Sequence, residues 1–432
     1  MTSSRPAATP HPRRILVRGV NWLGDAVMTT PALQRLRERF PNAQITLLTN
    51  EKLAALWQQH PSIDAVMTFS SKQGPFAVAR RIRCWHFAQG LVDIQCLLKK
   101  DYPQTFAGMA ERGCDELAQK TVELYARFGA WSPQLFDIAL VLPSSPRSAL
   151  EMWLARIPHR IGYARPWRNW LLTHPIPSRP DHEQMRKRSV SEINRLVRSP
   201  ATEAHGPPRI THQIHDYLHL AATLGASPEP LPPKLEISAA EMRQAEDAFL
   251  SDARNKVPGS APGKPLVLLG LNPGAEYGPA KRWPAERFAV VVREISHRLG
   301  NCVWLAFGVK GDWELCDEVA RLAGGGVLNL AGKTSLRQLM ALLKLCRVVL
   351  TNDTGPMHVA AALGTPVVVP FGSTSPELTG PGLPGDTRHH LLRSSAPCSP
   401  CFRRACPIDF RCMTGISTER VVAAVQAALT PE

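Results

Sequence analysis

The sequence predicts an α/β protein built from two doubly wound parallel sheets. Three observations point there. Short β-branched runs alternate with helical patterns in both halves of the 432 residues, the first run of each half opens into a glycine-bearing turn and a helix, and a proline-rich stretch separates the halves. At about 150 residues per domain the length allows two or three domains. Hydrophobic residues at 44% and charged residues at 20% exclude a largely disordered chain or a coiled coil.

In the first half, Arg14–Arg18 (RILVR) reads as a strand, Gly19–Asp25 as a turn, and the following helical pattern runs to Phe40 with a bend near Pro31. Gln44–Thr49 (QITLLT) is the next strand, Lys52–His60 a helix and Ala65–Phe69 a third strand. That β-α-β-α-β order requires parallel strands with crossover helices. Residues 71–136 break the rhythm with basic, aromatic, helix-like sequence before Asp137–Leu142 (DIALVL) resumes the sheet, so they are expected to carry an insertion.

Residues 231–265 are rich in proline around one helical stretch, Ala239–Ala253, and form the expected linker. Beyond it the rhythm restarts with strand Leu266–Leu271, helix Pro284–Leu299, strand Cys302–Phe307, helix Asp312–Leu322 and strand Val327–Leu330. Helix Ser335–Leu345, strand Val348–Thr351, helix Gly355–Leu363 and strand Thr365–Pro370 follow. Two nucleotide-fold halves joined in this way describe a GT-B architecture, two Rossmann-like domains facing a cleft. The expected division is a tail at 1–13, a first domain at 14–230, the linker, a second domain at 266–415 and a final helix within 416–432. That helix is expected to pack back on the first domain.

The formal net charge is +15, unevenly spread, because residues 1–230 hold 29 Lys and Arg against 18 Asp and Glu. Nucleic acid, an anionic membrane surface, a phosphorylated substrate and a merely solvated basic surface all suit that sign. The longest apolar stretches, Pro265–Leu271 and Pro366–Phe371, fall far short of the roughly 18 residues of a membrane span. Met1–Arg14 lacks the apolar core of a secretory signal, which makes the cytoplasm the expected compartment and an extensive disulfide framework improbable for the ten cysteines.

Chemistry is expected at the carboxyl ends of the strands, where doubly wound sheets bind ligands. Asn272–Pro284 (NPGAEYGPAKRWP) joins a strand to a helix; its glycines permit close backbone approach, and Lys281 and Arg282 can neutralise a diphosphate. Thr351–His358 (TNDTGPMH) repeats the arrangement, with Asp353 or Thr354 able to cap a helix whose first amides would bind an anion. Gly308, Asp312 and Glu314 follow a third strand, where a carboxylate can accept ribose hydroxyls. Asp25 occupies the corresponding turn of the first half and can take a proton from an attacking hydroxyl. Each has an ordinary alternative: a solvated loop, an unliganded N-cap, a core histidine at 358, a helix-dipole acid at 25. No Asp-x-Asp element is present to hold a divalent ion.

Asn21–Asp25 (NWLGD), Pro273–Pro284 (PGAEYGPAKRWP) and Asn352–Leu363 (NDTGPMHVAAAL) together resemble the ADP-heptose:lipopolysaccharide heptosyltransferases, most closely their type II branch. Leu142–Ser145, Ser148–Leu150 and Ile157–Tyr163 continue the similarity, which covers most of 14–70 and 137–430. The resemblance implies an inverting enzyme needing neither metal nor cofactor, which transfers L-glycero-D-manno-heptose from ADP-heptose to the first heptose of the lipopolysaccharide inner core. It makes Asp25 the general base and Lys281 the donor-phosphate contact, with Asp353, Thr354, Gly355 and His358 around the donor. Asn21, Gly24, Gly274, Gly278 and Arg282 become substrate-binding positions, Asp312 and Glu314 the ribose candidates, and Arg147 and Arg160 candidates for the anionic acceptor. A cytoplasmic protein, peripheral on the inner face of the cytoplasmic membrane and without a nucleic-acid partner, is implied.

Two features depart from that pattern. In the insertion, Val78, Ile82 and Trp85 share a face interleaved with Arg80, Arg81 and Arg83, which suits a membrane-surface helix or one packed on the domain. Cys398, Cys401, Cys406 and Cys412 have the ligand count of a structural zinc without a regular two-knuckle spacing, and are expected to be structural at most. The alternatives are a type I heptosyltransferase or another core glycosyltransferase, and, outside enzymes, a basic scaffold for nucleic acid or membrane, for which neither an aromatic strand face nor a helix-turn-helix is evident.

Overall fold

Twelve short strands form two six-stranded sheets in the computed structural model, which describes residues 12–85, 135–198, 211–251 and 266–430. The first holds β1 (Arg14–Arg18), β2 (Gln44–Asn50), β3 (Ala65–Phe69), β4 (Ile138–Val141), β5 (His159–Tyr163) and β6 (His174–Ile176) in the order β3-β2-β1-β4-β5-β6. The second holds β7 (Val267–Asn272), β8 (Cys302–Ala306), β9 (Val327–Asn329), β10 (Val349–Thr351), β11 (Val367–Phe371) and β12 (His390–Arg393) in the order β12-β11-β10-β7-β8-β9. Every pairing is parallel. Each order reverses at one place, between β1 and β4 or between β7 and β10, and in doubly wound sheets such a switch point opens a crevice at the carboxyl ends. The two doubly wound halves expected from the sequence are present.

By contacts the chain divides into two compact units: Met1–Val20, Arg37–Glu51 and Ser62–Ser178 in the first, and Asn21–Leu36, Lys52–Pro61 and Arg179–Glu432 in the second. Residues 179–230, expected with the first half, pack with the second: the Arg188 amide donates to the Cys401 carbonyl (3.0 Å), the Gln213 amide to the Leu378 carbonyl (2.9 Å) and the His212 imidazole to the Gly380 carbonyl (3.1 Å). The turn-helix segment carrying Asp25 also belongs to the second unit.

In the first unit, Leu16, Leu48, Met67, Phe136 and Val141 form a core closed by α3 (Pro146–Leu154) through Ala149 and Met152. Before α3, the continuous pattern expected up to Phe40 is two helices, α1 (Leu23–Met28) and α2 (Thr30–Arg39), with Pro31 in the first turn of the second, where its missing N–H costs nothing. Residues 75–85 are helical, and Val78, Ala79 and Ile82 are buried in the same core. The apolar face of the insertion therefore packs on the domain. The rest of the insertion, 86–134, lies outside the described residues, as does the tail up to residue 11.

The stretch expected as a helix from Lys52 is a 3-10 turn over Glu51–Trp57, which from Lys52 on belongs to the second unit. There α4 (Val190–Arg198) and α5 (Ile214–Ala222) precede α6 (Ala239–Leu250). The described part of the linker is anchored: Ser238 and Glu241 form a capping box at α6, and Glu241 takes both arms of Arg337 at 2.7 Å, which holds its carboxyl down to about 2. Arg337 lies on α9 (Leu336–Leu345), which follows α7 (Ala285–Leu299) and α8 (Trp313–Ala323). The last helices are α10 (Gly355–Ala362), the short α11 (Pro376–Thr379) and α12 (Arg411–Thr414), and α13 (Thr418–Leu429). The final helix does not leave its unit. Val421, Val422 and Val425 pack with Phe288, Val292 and Trp304, each fully buried aliphatic side chain contributing about 1.5–3 kcal/mol.

Candidate active site

The site is built at the β7/β10 switch point. Asn352, wholly buried, ties the two strand ends: its backbone amide donates to Asn272 (3.2 Å), its side-chain amide donates to the Pro273 carbonyl (2.7 Å), and its side-chain oxygen accepts from the Trp283 amide (3.0 Å). The loop between those anchors turns at Gly278, whose φ of +143° and lack of Cβ both matter, because a Cβ would lie 2.5 Å from the Arg404 carbonyl.

Lys281 emerges from that loop. Its Nζ lies 2.6 Å from Asp353 Oδ2 and 4.8 Å from the centre of the Tyr277 ring, and Asp353 also accepts from the Thr374 hydroxyl. An ammonium has three donors, so the ion pair leaves N–H groups for an anion. At the start of α10, Thr354 is the N-cap in an extended conformation but makes no side-chain cap bond. The expected capping by Asp353 or Thr354 is therefore not observed; Asp353 turns to Lys281 instead. Thr354 and Gly355 line the cavity, placing an uncapped helix start, with its partial positive charge, beside Lys281.

Helices α1 and α10 approach through reciprocal glycines. A Cβ on Gly24 would stand 2.7 Å from His358 Cδ2, and one on Gly355 would stand 2.8 Å from Leu23 Cδ2. That approach brings Asp25 to the same cavity. Burial pushes the Asp25 carboxyl up to about 6, with Lys281 opposing and Asp353 reinforcing the rise. Burial pulls His358 down to about 4, so it packs as a neutral imidazole at pH 7.

The cavity measures about 990 Å³, and all of its lining residues belong to the second unit. Of the residues expected from sequence, Gly24, Asp25, Gly274 and Lys281 line it, together with Asp312, Asp353, Thr354, Gly355 and His358. Asp312 accepts from the Val309 amide at 3.1 Å and lies so close over Gly274 that a Cβ there would be 2.6 Å from its carboxylate. Four others stand outside the lining. Asn21 precedes α1 and Glu314 lies on α8, both exposed; Gly278 shapes its loop; and Arg282 is 3.8 Å from Asp312. Arg147 and Arg160 lie in the first unit. Arg147 pairs with Glu151 (3.1 Å) and with the Gln73 carbonyl, while Arg160 donates to the carbonyls of Leu171 (2.7 Å) and Ile157 (2.5 Å).

A sequence profile of glycosyltransferase family 9 (heptosyltransferase) matches residues 186–410. The chain belongs to that family. Lipooligosaccharide heptosyltransferase 2 of Haemophilus ducreyi is 28% identical over 380 residues, covering 85% of this chain and 86% of that protein. Lipopolysaccharide heptosyltransferase 2 of Escherichia coli is 28% identical, covering 85% of both. Among solved structures, E. coli ADP-heptose lps heptosyltransferase II aligns with a TM-score of 0.62 at 23% identity over 96% of this chain and 98% of that one. A family 9 glycosyltransferase of Veillonella parvula aligns with a TM-score of 0.68 at 22% identity over 96% and 97%. Both share the two-sheet fold.

In this family 9 chain the structure adds residues that sequence reasoning missed. Arg404 lines the cavity with its guanidinium 5.3 Å from the centre of the Tyr277 ring, and the Tyr277 hydroxyl donates to the Phe402 carbonyl at 2.8 Å. The signal was the aromatic-basic run Phe402-Arg403-Arg404 inside the cysteine cluster. Those cysteines are free thiols; Cys398, Cys401 and Cys412 are buried, and burial pushes Cys412 up to about 12. Among the described residues no group of three or more His, Cys, Asp or Glu is arranged to hold a metal ion.

Proposed function

We propose that this chain is an inverting glycosyltransferase moving L-glycero-D-manno-heptose from ADP-heptose to the first heptose of the lipopolysaccharide inner core. One observation carries the reading: a single cavity brings together a cationic phosphate position, made of Lys281 and the α10 start, and a carboxylate, Asp25, poised near pH 6. The names of the family 9 relatives support the substrate class.

The chemistry needs both halves of that cavity. Asp25 accepts the proton of the acceptor hydroxyl as its oxygen bonds to the anomeric carbon, and the bond from that carbon to the β-phosphate oxygen breaks with its electron pair leaving on ADP. Attack opposite the departing diphosphate inverts the anomeric centre. Lys281, pre-placed by Asp353, and the α10 amides neutralise the charge growing on ADP. Asp312 is positioned to accept ribose hydroxyls. The more basic first domain is proposed to receive the acceptor, whose phosphates and Kdo carboxylates suit its charge. Among the described residues no helix is long and apolar enough to cross a membrane, and a peripheral place on the inner face of the cytoplasmic membrane fits a lipid-linked acceptor.

The test is a transfer assay with ADP-heptose and two Kdo-lipid A acceptors, one already bearing a heptose. Transfer to the heptose-bearing acceptor is expected, falling as salt rises. Transfer only to the heptose-free acceptor would replace this reading with a type I activity, and no transfer from any nucleotide sugar would end it.

A further inference from the structure

Three tryptophans stand in water on the first unit, and none of them lines the cavity. Trp153 is 43% exposed at the end of α3, Trp167 86% and Trp170 66% on the β5–β6 connection. Trp153 and Trp170 meet edge to face with ring centres 5.8 Å apart, so two of the three form one aromatic surface. A solvent-exposed group of large apolar rings marks an interaction site in a soluble protein.

The charge around them has one sign. Residues 152–178, all in the first unit, contain four arginines, Arg156, Arg160, Arg165 and Arg168, and no Asp or Glu. Arg168 is wholly buried with one arm on the Pro143 carbonyl (2.8 Å), and among the described residues its Nε and Nη2 find no partner. Its charge therefore adds to the positive potential outside rather than being cancelled beneath the surface. The backbone is held for display as well: Arg156 at φ +60° and Trp167 at φ +63° are in the left-handed region that side-chain-bearing residues rarely adopt.

These features exclude some partners. The sheet edge is β6, three residues with Pro175 at the centre, so it offers no ladder for an added strand. Trp153 lies near a helix end, Trp170 in a 3-10 turn and Trp167 in the turn just before it, rather than along a groove that could track a nucleic-acid strand. Tryptophan with arginine, and without acid, is the composition that settles at the headgroup level of an anionic membrane.

We propose that the surface formed by Trp153, Trp167 and Trp170 with Arg156 and Arg165 seats the protein on an anionic phospholipid bilayer. The proposal rests on the reading above in one respect, since a lipid-linked acceptor gives the seat its use.

Full-length protein is sedimented with vesicles of phosphatidylglycerol and phosphatidylethanolamine, or of phosphatidylcholine alone, and ADP affinity is measured by calorimetry on the same preparations. Wild type is expected to bind the anionic vesicles, less at high salt, and to bind the neutral ones weakly. The double variant W167S/W170S, altering two exposed side chains, is expected to lower anionic-vesicle partitioning about tenfold and to leave ADP affinity unchanged. R156E should lower partitioning in the same direction. Undiminished partitioning of W167S/W170S would overturn the proposal, and so would wild type that ignores the vesicles but binds a single-stranded oligonucleotide. ADP affinity reports on the donor site separately, so loss of ADP binding in wild type would count against the proposed reaction and not against the bilayer seat.

Discussion

Replacing Asp25 with asparagine should stop the enzyme and stabilise it at once. Asparagine keeps the shape of the side chain and removes the charge. Burial raises this carboxyl from 3.8 to about 6, so the folded protein binds a proton there more tightly than the unfolded chain does. Between those two values stability falls as pH rises, because folding must bury an increasingly ionised carboxylate. Two pKa units at 1.36 kcal/mol each amount to at most about 3 kcal/mol, fully developed above pH 6 and absent below about pH 4. At about 2 °C per kcal/mol for a unit of this size, Asp25→Asn should melt roughly 5 °C higher at pH 7.5 and level with wild type at pH 4. Turnover should fall about 10²-fold or more, the scale of a lost general base. Differential scanning calorimetry across that pH range, paired with steady-state transfer rates, decides it. An equal or lower melting temperature at pH 7.5 would refute the burial argument. Wild-type kcat/KM that stays flat down to pH 4.5 would refute the assignment of the base.

Lys281→Ala should weaken ADP binding by about 1.5–3 kcal/mol, the worth of one charged hydrogen bond, and calorimetry showing unchanged affinity would remove Lys281 from the donor site. Gly24→Ala should destabilise the protein by about 1–3 kcal/mol and lower turnover, because its methyl meets the buried His358 ring; urea unfolding measures the first effect and initial rates the second, and wild-type values for both would mean that α1 and α10 can part freely. If cationic and helix-start charge serves the leaving group as proposed, EDTA should leave transfer rates unchanged, and a loss that added Mg²⁺ restores would contradict the proposal.

Much of the fold is legible because its signals are local. The runs RILVR and AVMTF form strands over Arg14–Arg18 and Ala65–Phe69 as read, and helix Thr418–Leu429 begins where Ser417 caps it. Strands β5, β6 and β12 escape because their sequences, HRIGY, HPI and HLLR, carry charge or proline where a buried strand is expected to be apolar. They form because neighbouring strands supply the partners. The destination of the last helix was not local information either, since Val421 and Val425 fit whichever core lies beside them. The cavity loops are readable from glycines, prolines and charges placed just after strands. What no local pattern discloses is the division of labour among them: Asp353 holds Lys281, Thr374 holds Asp353, and Arg404 arrives from an aromatic-basic run inside the cysteine cluster, far along the chain from the other cavity loops.

The two sheets share one strand order, so the chain contains two topologically equivalent crevices, and their contents differ. In the second, the helix after the switch-point strand begins with glycine and leaves room. In the first, the corresponding helix, α3, sends Glu151 back to Arg18 at the end of β1, 2.8 Å apart and both almost wholly buried, with the Phe69 ring 4.2 Å over the guanidinium. A mutually satisfied ion pair thus bridges the end of β1 to the middle of α3, and displacing it would strand two charges in a low-dielectric interior. Of two sheets with one strand order, one carries a cavity at its switch point and the other an internal ion pair joining strand to helix. The arithmetic consequence is a stoichiometry: titration with ADP should saturate at one nucleotide per chain, and a second equivalent bound with comparable affinity would show that the ion-paired crevice opens to a ligand as well.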